Sequence, residues 1–145
     1  MSLLDTLKRT LSGSATPTPV QIPTTQPAPE PEEIKVEEVA AADLMAERRN
    51  GHQPMLLDCR EDHEWRQVRI PGSLHIPMRQ IPGRLADIDR AADVVVVCAH
   101  GNRSYSVAGY LIENGFAARS LRGGVADWQA RGGEVESDYT RATRS

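Results

Sequence analysis

The strongest structural signal in this sequence is the stretch Val94-Val95-Val96-Val97-Cys98-Ala99-His100-Gly101-Asn102-Arg103-Ser104. Its four consecutive valines are β-branched and uncharged, which favours a strand buried on both faces of a sheet. Apolar residues recur at helical spacing over residues 104–114, and Gly115 is a typical helix terminator. The stretch therefore predicts a buried strand, a short loop that begins with a cysteine, and a helix.

Shorter patterns on both sides of this stretch predict an alternation of strands and helices. Alternation with short connections is typical of an α/β fold, and we expect an open sheet of about five mainly parallel strands with helices on both faces. Ligands of such sheets bind beyond the carboxyl ends of the strands, where Asp58 and Cys98 both fall. The other predicted strands are residues 55–58, 74–76 and 120–121, and the other predicted helices are residues 40–49, 62–68, 81–88 (the weakest pattern) and 125–130.

The chain of 145 residues has room for one domain and two tails. Residues 1–33 contain many prolines and threonines and are predicted to be a disordered tail, with a possible short amphipathic helix at residues 2–12 that would bind a protein partner or a membrane surface. The alternative for that segment is a frayed polar terminus. We expect the folded domain at residues 34–137 and a short C-terminal tail at residues 138–145.

Charge and cysteine content narrow the classes of function. The formal net charge of −3 gives no general attraction to nucleic acid, so no nucleic-acid partner is expected. The start of the chain lacks a secretory signal, and the two cysteines do not suggest a disulfide framework, so a cytoplasmic, reducing location is predicted. His52, His63 and His75 have no shared metal-ligand spacing, and no metal site is predicted.

The loop from Cys98 to Ser104, called the cysteine loop below, is predicted to bind an anion. Gly101 is free to adopt a positive φ angle, and a loop this short directs successive backbone N–H groups toward one point at the start of a helix. Arg103 adds a positive charge with a planar set of donors. We expect these groups to hold Cys98 as a thiolate, together with the anionic oxygens or sulfur of a substrate.

Four motifs of this sequence, taken in order, resemble those of the rhodanese family. The resemblance covers residues 34–135. The motifs are Leu57-Asp58-Cys59-Arg60 with Glu61 and Glu64-Trp65, Ile70-Pro71-Gly72-Ser73-Leu74-His75-Ile76-Pro77, the cysteine loop, and Leu121-Arg122-Gly123-Gly124-Val125-Ala126-Asp127-Trp128.

The resemblance implies a five-stranded parallel sheet and a sulfurtransferase that works through a persulfide on Cys98. Cys98 would take sulfane sulfur from a small donor such as thiosulfate or a persulfide and pass it to a thiol or a cyanide-like acceptor. The substrate-binding residues would be Ala99, His100, Gly101, Asn102, Arg103 and Ser104. The resemblance also implies that Asp58 and Arg60 support the site through ion pairs, and it implies neither a metal nor an organic cofactor.

Two departures and two alternatives remain open. Val68-Arg69 stands where many members have Gly-His, and Ala99 stands where arginine is frequent, which weakens the case for thiosulfate as the preferred donor. The related dual-specificity phosphatases have one residue more between cysteine and arginine, so a phosphatase or arsenate reductase is the lesser alternative. The other alternative is a non-enzymatic persulfide carrier or docking module, tethered by the N-terminal tail.

Several residues have a structural interpretation beside the functional one. Cys98 itself could be a buried structural cysteine, although burial would not explain Gly101 and Arg103. Cys59 is predicted to pack in the core rather than to act as a resolving cysteine. His100 is expected to point to solvent while its N–H serves the loop, the alternative being a contact with the thiolate or the substrate. Trp65 and Trp128 are predicted to be packing residues.

Overall fold

The structure is a computed structural model that describes residues 17–23, 27–28 and 33–139. The predicted helix at residues 2–12 and most of the predicted tail at residues 138–145 lie outside the described residues. All elements of secondary structure given below belong to one compact unit, Glu33–Ser145. The proposed division into tail, domain and tail stays a prediction.

Five parallel strands form one sheet in the order β1-β5-β4-β2-β3, which confirms the predicted α/β fold. The four valines of β4 are fully buried, as expected for the central strand. Because β4 pairs in parallel with a strand on each side, the backbone groups of these valines are hydrogen-bonded, and both faces of the sheet are covered. The strands are β1 (Glu37–Ala40), β2 (Met55–Asp58), β3 (Leu74–His75), β4 (Asp93–Val97) and β5 (Ala117–Arg122).

Helices cover both faces of the sheet, and the valines of β4 alternate between them. Val94 and Val96 belong to the cluster that packs against α3, whereas Val95 and Val97 belong to the cluster that packs against α1 and α4. This alternation follows from the two-residue period of a strand. The helices are α1 (Ala41–Arg49), α2 (Asp62–Gln67), α3 (Asn102–Glu113) and α4 (Gly124–Ala130).

Two local predictions need correction. The helical pattern at residues 81–88 is wrong as an α-helix: the segment contains two short 3-10 helices, Met78–Gly83 and Leu85–Asp87. Pro82 lies inside the first of them and has no N–H to donate, which disfavours a longer α-helix. Strand β1 was not predicted at all, because it begins with the charged and exposed Glu37 and Glu38 and is held by backbone pairing to β5.

The end of β4 and the end of β2 lie side by side. The pairing register places Asp58 opposite Val97, and the N–H of Cys59 donates to the carbonyl of Val97 over 3.0 Å. The residues that follow the two strands, Cys59 and Cys98, therefore start their loops from neighbouring points of one sheet edge. Across the described residues, no helix is both long and apolar enough to cross a bilayer.

Candidate active site

The cysteine loop turns directly from β4 into α3 and wraps around the sulfur of Cys98. Gly101 precedes the first residue of α3 and has a φ angle of +103°, a conformation that side chains rarely allow. Its N–H donates to Sγ of Cys98 over 3.0 Å. The left-handed glycine thus turns the backbone so that the helix start faces the sulfur, as the sequence predicted.

The pKa of the Cys98 thiol is lowered from its ordinary value by the hydrogen bonds of this loop. Burial alone raises the pKa, since it disfavours the charged form. The hydroxyl of Ser104 and the backbone N–H groups of Ser104, Gly101 and His100 act in the opposite direction and outweigh burial. Cys98 therefore loses its proton more readily than an ordinary cysteine, and the donors responsible come from its own loop.

Ser104 connects the sulfur to a second buried hydroxyl. Its Oγ lies 3.3 Å from Sγ of Cys98, 3.1 Å from the carbonyl oxygen of Gly101 and 2.7 Å from Oγ of Ser120 on β5. Both serines are buried. The neutral thiol donates to Ser104, whereas the thiolate accepts the Ser104 proton, so the hydroxyl can serve both forms.

Cys98 lies beneath its loop rather than on the open surface. The residue is 1% exposed, whereas His100 and Asn102 are exposed and Gly101 and Arg103 are partly buried. Attack on a donor requires a sulfur that the donor can reach, and the structure shows an enclosed one.

The guanidinium group of Arg103 is paired with Glu64 of α2. Its Nη2 donates to one carboxylate oxygen over 2.7 Å and its Nη1 to the other over 2.9 Å. Hydrogen bonding to Arg103 lowers the pKa of Glu64 to about 2, although partial burial opposes this. Two of the planar donors expected to hold an anion are thus engaged by Glu64, and the pair joins the cysteine loop to α2.

Asp58 and Arg60 form a fully buried ion pair beside the loop. Nη2 of Arg60 is 2.8 Å from Oδ2 of Asp58, and Nε is 3.0 Å from Oδ1. The same guanidinium donates to the carbonyl of Val68 over 2.6 Å, just after α2. Removing one partner of such a pair would leave a buried charge. The supporting role expected for both residues stays a prediction.

The start of α4 is bonded to the other side of the cysteine loop. The N–H of Val125 donates to the carbonyl of Cys98 over 2.9 Å, and the N–H of Ala126 donates to that of Ala99 over 3.1 Å. Gly124 has a φ angle of +61°, and a Cβ at this position would collide with the carbonyl of Cys98. The second glycine of the last motif is therefore required by the close approach of two backbones.

The remaining candidate residues have mixed positions. Cys59 is fully buried, and burial followed by the charge of Cys98 raises its pKa to about 12, so the thiol form dominates at neutral pH. Trp128 is buried in the core, whereas Trp65 stacks on His75 with ring centres 4.6 Å apart. Within residues 33–139, Ala99 and Asn102 make no hydrogen bond to Sγ, and their substrate contacts stay a prediction.

One cluster at the opposite end of β4 contains groups that ligate metals. Glu47, His52 and Asp93 place their ligand atoms within 4.8 Å of one another. Arg119, however, donates to Glu47 over 2.8 Å and to Asp93 over 2.9 Å, so its positive charge already balances negative charge of the two carboxylates. We assign the cluster to an ion-pair network rather than to a metal site.

Sequence reasoning missed two residues that the structure places at the site. Glu64 was quoted within a motif but received no role, and its spacing from Glu61 predicts a capping box rather than a partner for Arg103. Ser120 gave no signal, since a serine in a short strand pattern is uninformative. Both contacts depend on how distant elements pack, which the sequence pattern does not reveal.

The fold and the cysteine loop define an α/β domain with a loop that stabilises the thiolate form of its cysteine. The model of the rhodanese-like domain family matches residues 41–131. The chain belongs to this family. It is 35% identical over 98 residues to a sulfurtransferase of Allochromatium vinosum, covering 67% of this chain and 92% of that protein. It is also 32% identical over 96 residues to a putative sulfurtransferase, YtwF, of Bacillus subtilis, covering 66% and 93%.

Further similarities support the family assignment. The thiosulfate sulfurtransferase GlpE of Pseudomonas aeruginosa is 39% identical over 84 residues, which are 57% of this chain and 74% of that protein. A rhodanese-like domain protein from Staphylococcus aureus has a similar solved structure, with a TM-score of 0.64, 30% identity, and coverage of 70% and 98%. These relatives place the chain among sulfurtransferases.

Proposed function

We propose that this protein transfers sulfane sulfur from a donor to a thiophilic acceptor through a persulfide on Cys98. The observation that supports this most directly is the set of donors on Sγ, with the Gly101 N–H at 3.0 Å and the Ser104 hydroxyl at 3.3 Å. They lower the pKa of Cys98. A thiolate is the form of cysteine that attacks sulfur.

In the first step, the Cys98 thiolate attacks the outer sulfur of a donor such as thiosulfate. The bond between the two sulfur atoms of thiosulfate breaks, and sulfite leaves with its electron pair. The persulfide carries its negative charge on the outer sulfur, which lies close to the donors that held the thiolate. The same N–H and hydroxyl groups thus stabilise both anions, so they favour the intermediate as well as the nucleophile.

In the second step, an acceptor nucleophile such as cyanide or a thiolate attacks the outer sulfur of the persulfide. The electron pair of the breaking sulfur–sulfur bond returns to Cys98, and the product is thiocyanate when cyanide is the acceptor. A thiolate with a lowered pKa is a better leaving group. The hydrogen bonds that activate Cys98 in the first step therefore assist its release in the second.

The charges around Sγ bear on the choice of donor. Arg103 is bonded to Glu64 through both of its Nη atoms, and Ala99 carries no charge. Binding of the donor then rests mainly on backbone N–H groups, which hold a single anionic sulfur as well as a sulfonate group. We propose that thiosulfate is a competent donor and that small persulfides are used as well.

The formation of thiocyanate from thiosulfate and cyanide tests the proposal. A variant of Cys98 is the test, and a variant of Cys59 is its matched control. The purified protein should form thiocyanate, Cys98→Ser should form none, and Cys59→Ala should keep its activity. A folded protein without turnover on thiosulfate or on a small persulfide, or a Cys98→Ser variant as active as the wild type, would contradict it. Hydrolysis of an aryl phosphate that depends on Cys98 would instead favour a phosphatase.

A further inference from the structure

Cys59 is a buried nucleophile that the proposed transfer reaction does not use, and it lies opposite Cys98. Asp58 pairs with Val97 in a parallel register, so the next residues along both strands, Cys59 and Cys98, occupy facing positions. The bond from the Cys59 N–H to the Val97 carbonyl, 3.0 Å long, keeps the strands paired up to this point. Both side chains belong to the same core cluster on one face of the sheet.

The general spacing of paired strands suits a disulfide between facing positions. Paired strands lie about 4.8 Å apart, which falls within the range of roughly 4.4–6.8 Å between the Cα atoms of bonded cysteines. Facing residues of a parallel pair direct their side chains to the same face. Both cysteines are free thiols in this structure. Core packing of Cys59, expected from the sequence, is compatible with a second role because the packed position is next to Cys98.

We propose that Cys59 resolves the Cys98 persulfide, releasing hydrosulfide and closing a disulfide between Cys59 and Cys98; the inference rests on the proposed persulfide chemistry. The Cys59 proton passes to the anionic outer sulfur, and the Cys59 sulfur attacks Sγ of Cys98. The bond from Sγ to the outer sulfur breaks, and the outer sulfur leaves as hydrosulfide with the electron pair. No external oxidant is needed, because the Cys59 sulfur is oxidised by the amount by which the departing sulfur is reduced. A thiol reductant restores both thiols.

The reaction is slow at neutral pH, which separates it from transfer to an acceptor. In the protein without added sulfur, burial and then the charge of Cys98 raise the pKa of Cys59 to about 12. Burial remains after sulfur is added, so few molecules carry the attacking thiolate. An external acceptor therefore takes the sulfur first when one is present. Without an acceptor, the disulfide forms, the outer sulfur is released, and Cys98 is blocked until a reductant arrives.

To test this inference, the full chain is treated with thiosulfate and the excess donor is removed. The protein is then kept without an acceptor and without a reductant, while its intact mass and the released sulfide are measured. The wild type should lose the added sulfur, release one sulfide per chain and end two hydrogen masses below the reduced protein, with Cys59 and Cys98 joined in one peptide pair. Cys59→Ala and Cys59→Val should keep the persulfide. The second variant preserves apolar volume at this buried position if alanine weakens the fold.

The outcomes distinguish this inference from the proposed function. If all three proteins accept sulfur on Cys98 but the wild type keeps it as long as the two variants, the resolving role is wrong and the transfer function stands. Loss of sulfur from the wild type without a link between the two cysteines also overturns the inference. If none of the three proteins accepts sulfur on Cys98 from thiosulfate or a small persulfide, the proposed function and the inference both fail.

Discussion

The hydroxyl of Ser104 carries one proton but has three acceptors within reach. Its Oγ lies close to Sγ of Cys98, the carbonyl of Gly101 and Oγ of Ser120. If Ser120 donates to Ser104, the Ser104 proton remains available for the Cys98 thiolate; if Ser104 donates to Ser120, the thiolate loses that donor. We expect Ser120 to be the donor of this pair, which leaves the Ser104 proton to the negative sulfur and the Gly101 carbonyl.

Substitution of Ser120 by alanine should consequently raise the pKa of Cys98. Without the Ser120 donor, Ser104 is left without the hydrogen bond that orients its hydroxyl toward the thiolate. We expect an increase of about one pKa unit, since hydrogen bonds to charged groups contribute roughly 1.5–3 kcal/mol and only part of one is lost. The pH dependence of Cys98 alkylation by iodoacetamide measures this shift.

The matched control for this experiment is Ser106→Ala. Ser106 is exposed on α3, two residues beyond Ser104, and should leave the alkylation profile unchanged. An unchanged profile for Ser120→Ala as well, in a protein with wild-type stability, would show that the buried hydroxyl does not act on the sulfur.

At the residue scale, the sequence predicted the groups that belong to one continuous stretch. Cys98, Gly101 and Ser104 were recognised because the loop, its glycine and the following helix are adjacent in the chain. The partner of Arg103 was not recognised. Glu64 is 39 residues earlier, and the bond depends on how α2 packs beside the loop. Short-range pattern therefore predicts the donors to the sulfur, and tertiary packing decides which charges remain free to act on it.

Helices α2 and α3 are joined at their first turns by the ion pair between Glu64 and Arg103. The folded protein holds the pKa of Glu64 at about 2, well below its ordinary value of 4.5. A lowered carboxyl pKa stabilises the folded state at pH values above the unfolded pKa, and this contribution is lost as the pH falls through the folded pKa. The stabilisation should thus decline between about pH 4.5 and pH 2.

Substitution of Glu64 by glutamine should lower the free energy of unfolding by about 1–2 kcal/mol at neutral pH, because Arg103 loses a paired carboxylate in a partly buried site. Glutamine still accepts the hydrogen bond of the capping box at the start of α2, so the variant removes mainly the charge. Urea unfolding at pH 7 and at pH 3 measures both effects, and the difference between the two proteins should shrink at the lower pH.

The exposed pair of Arg84 and Asp87 provides the comparison for this measurement. Its N–O distance of 2.9 Å is similar, but both side chains lie on the surface. Asp87→Asn should change the unfolding free energy by less than about 0.5 kcal/mol. An equal cost for the two substitutions would mean that the Glu64 pair does not hold the cysteine loop.

Because α4 approaches the cysteine loop closely, we predict that a methyl group added at Gly124 lowers the free energy of unfolding strongly. In Gly124→Ala the new Cβ would collide with the carbonyl of Cys98, whereas in Gly72→Ala it would meet no atom within 4 Å. Both glycines have positive φ angles, so both variants share the backbone cost of about 1–2 kcal/mol. Gly124→Ala should cost at least about 2 kcal/mol more in urea unfolding, and equal losses would contradict the tight packing of α4.

Element prediction succeeded where periodicity and burial agree. The valine run gave β4 because every residue is buried, and the apolar spacing beyond it gave α3. The pattern failed at β1, an edge strand with two leading glutamates, and at residues 78–87, where Pro82 limits the helical hydrogen bonds to short 3-10 segments. Edge strands and irregular turns bury too few side chains to produce a periodic signal.

At the scale of the whole molecule, we predict that the N-terminal tail serves association with a partner and that the domain alone performs the sulfur transfer. Among the described residues, those that bond Sγ, Gly101 and Ser104, lie within the unit Glu33–Ser145. Deletion of residues 1–33 should therefore leave thiosulfate turnover unchanged, and it should abolish association with a protein partner or a membrane fraction if the tail is the tether. Turnover assays and co-purification of both chains measure this, and equal association of the two would reject the role of the tail.

The location of added sulfur tests the central claim about this molecule most directly. Protein purified without reductant is treated with thiosulfate, the remaining thiols are blocked at once, and the peptides with Cys98 and Cys59 are weighed separately by mass spectrometry. Our account predicts one added sulfur on the Cys98 peptide and none on the Cys59 peptide. A folded protein whose Cys98 peptide stays unmodified with thiosulfate and with a small persulfide would contradict the account.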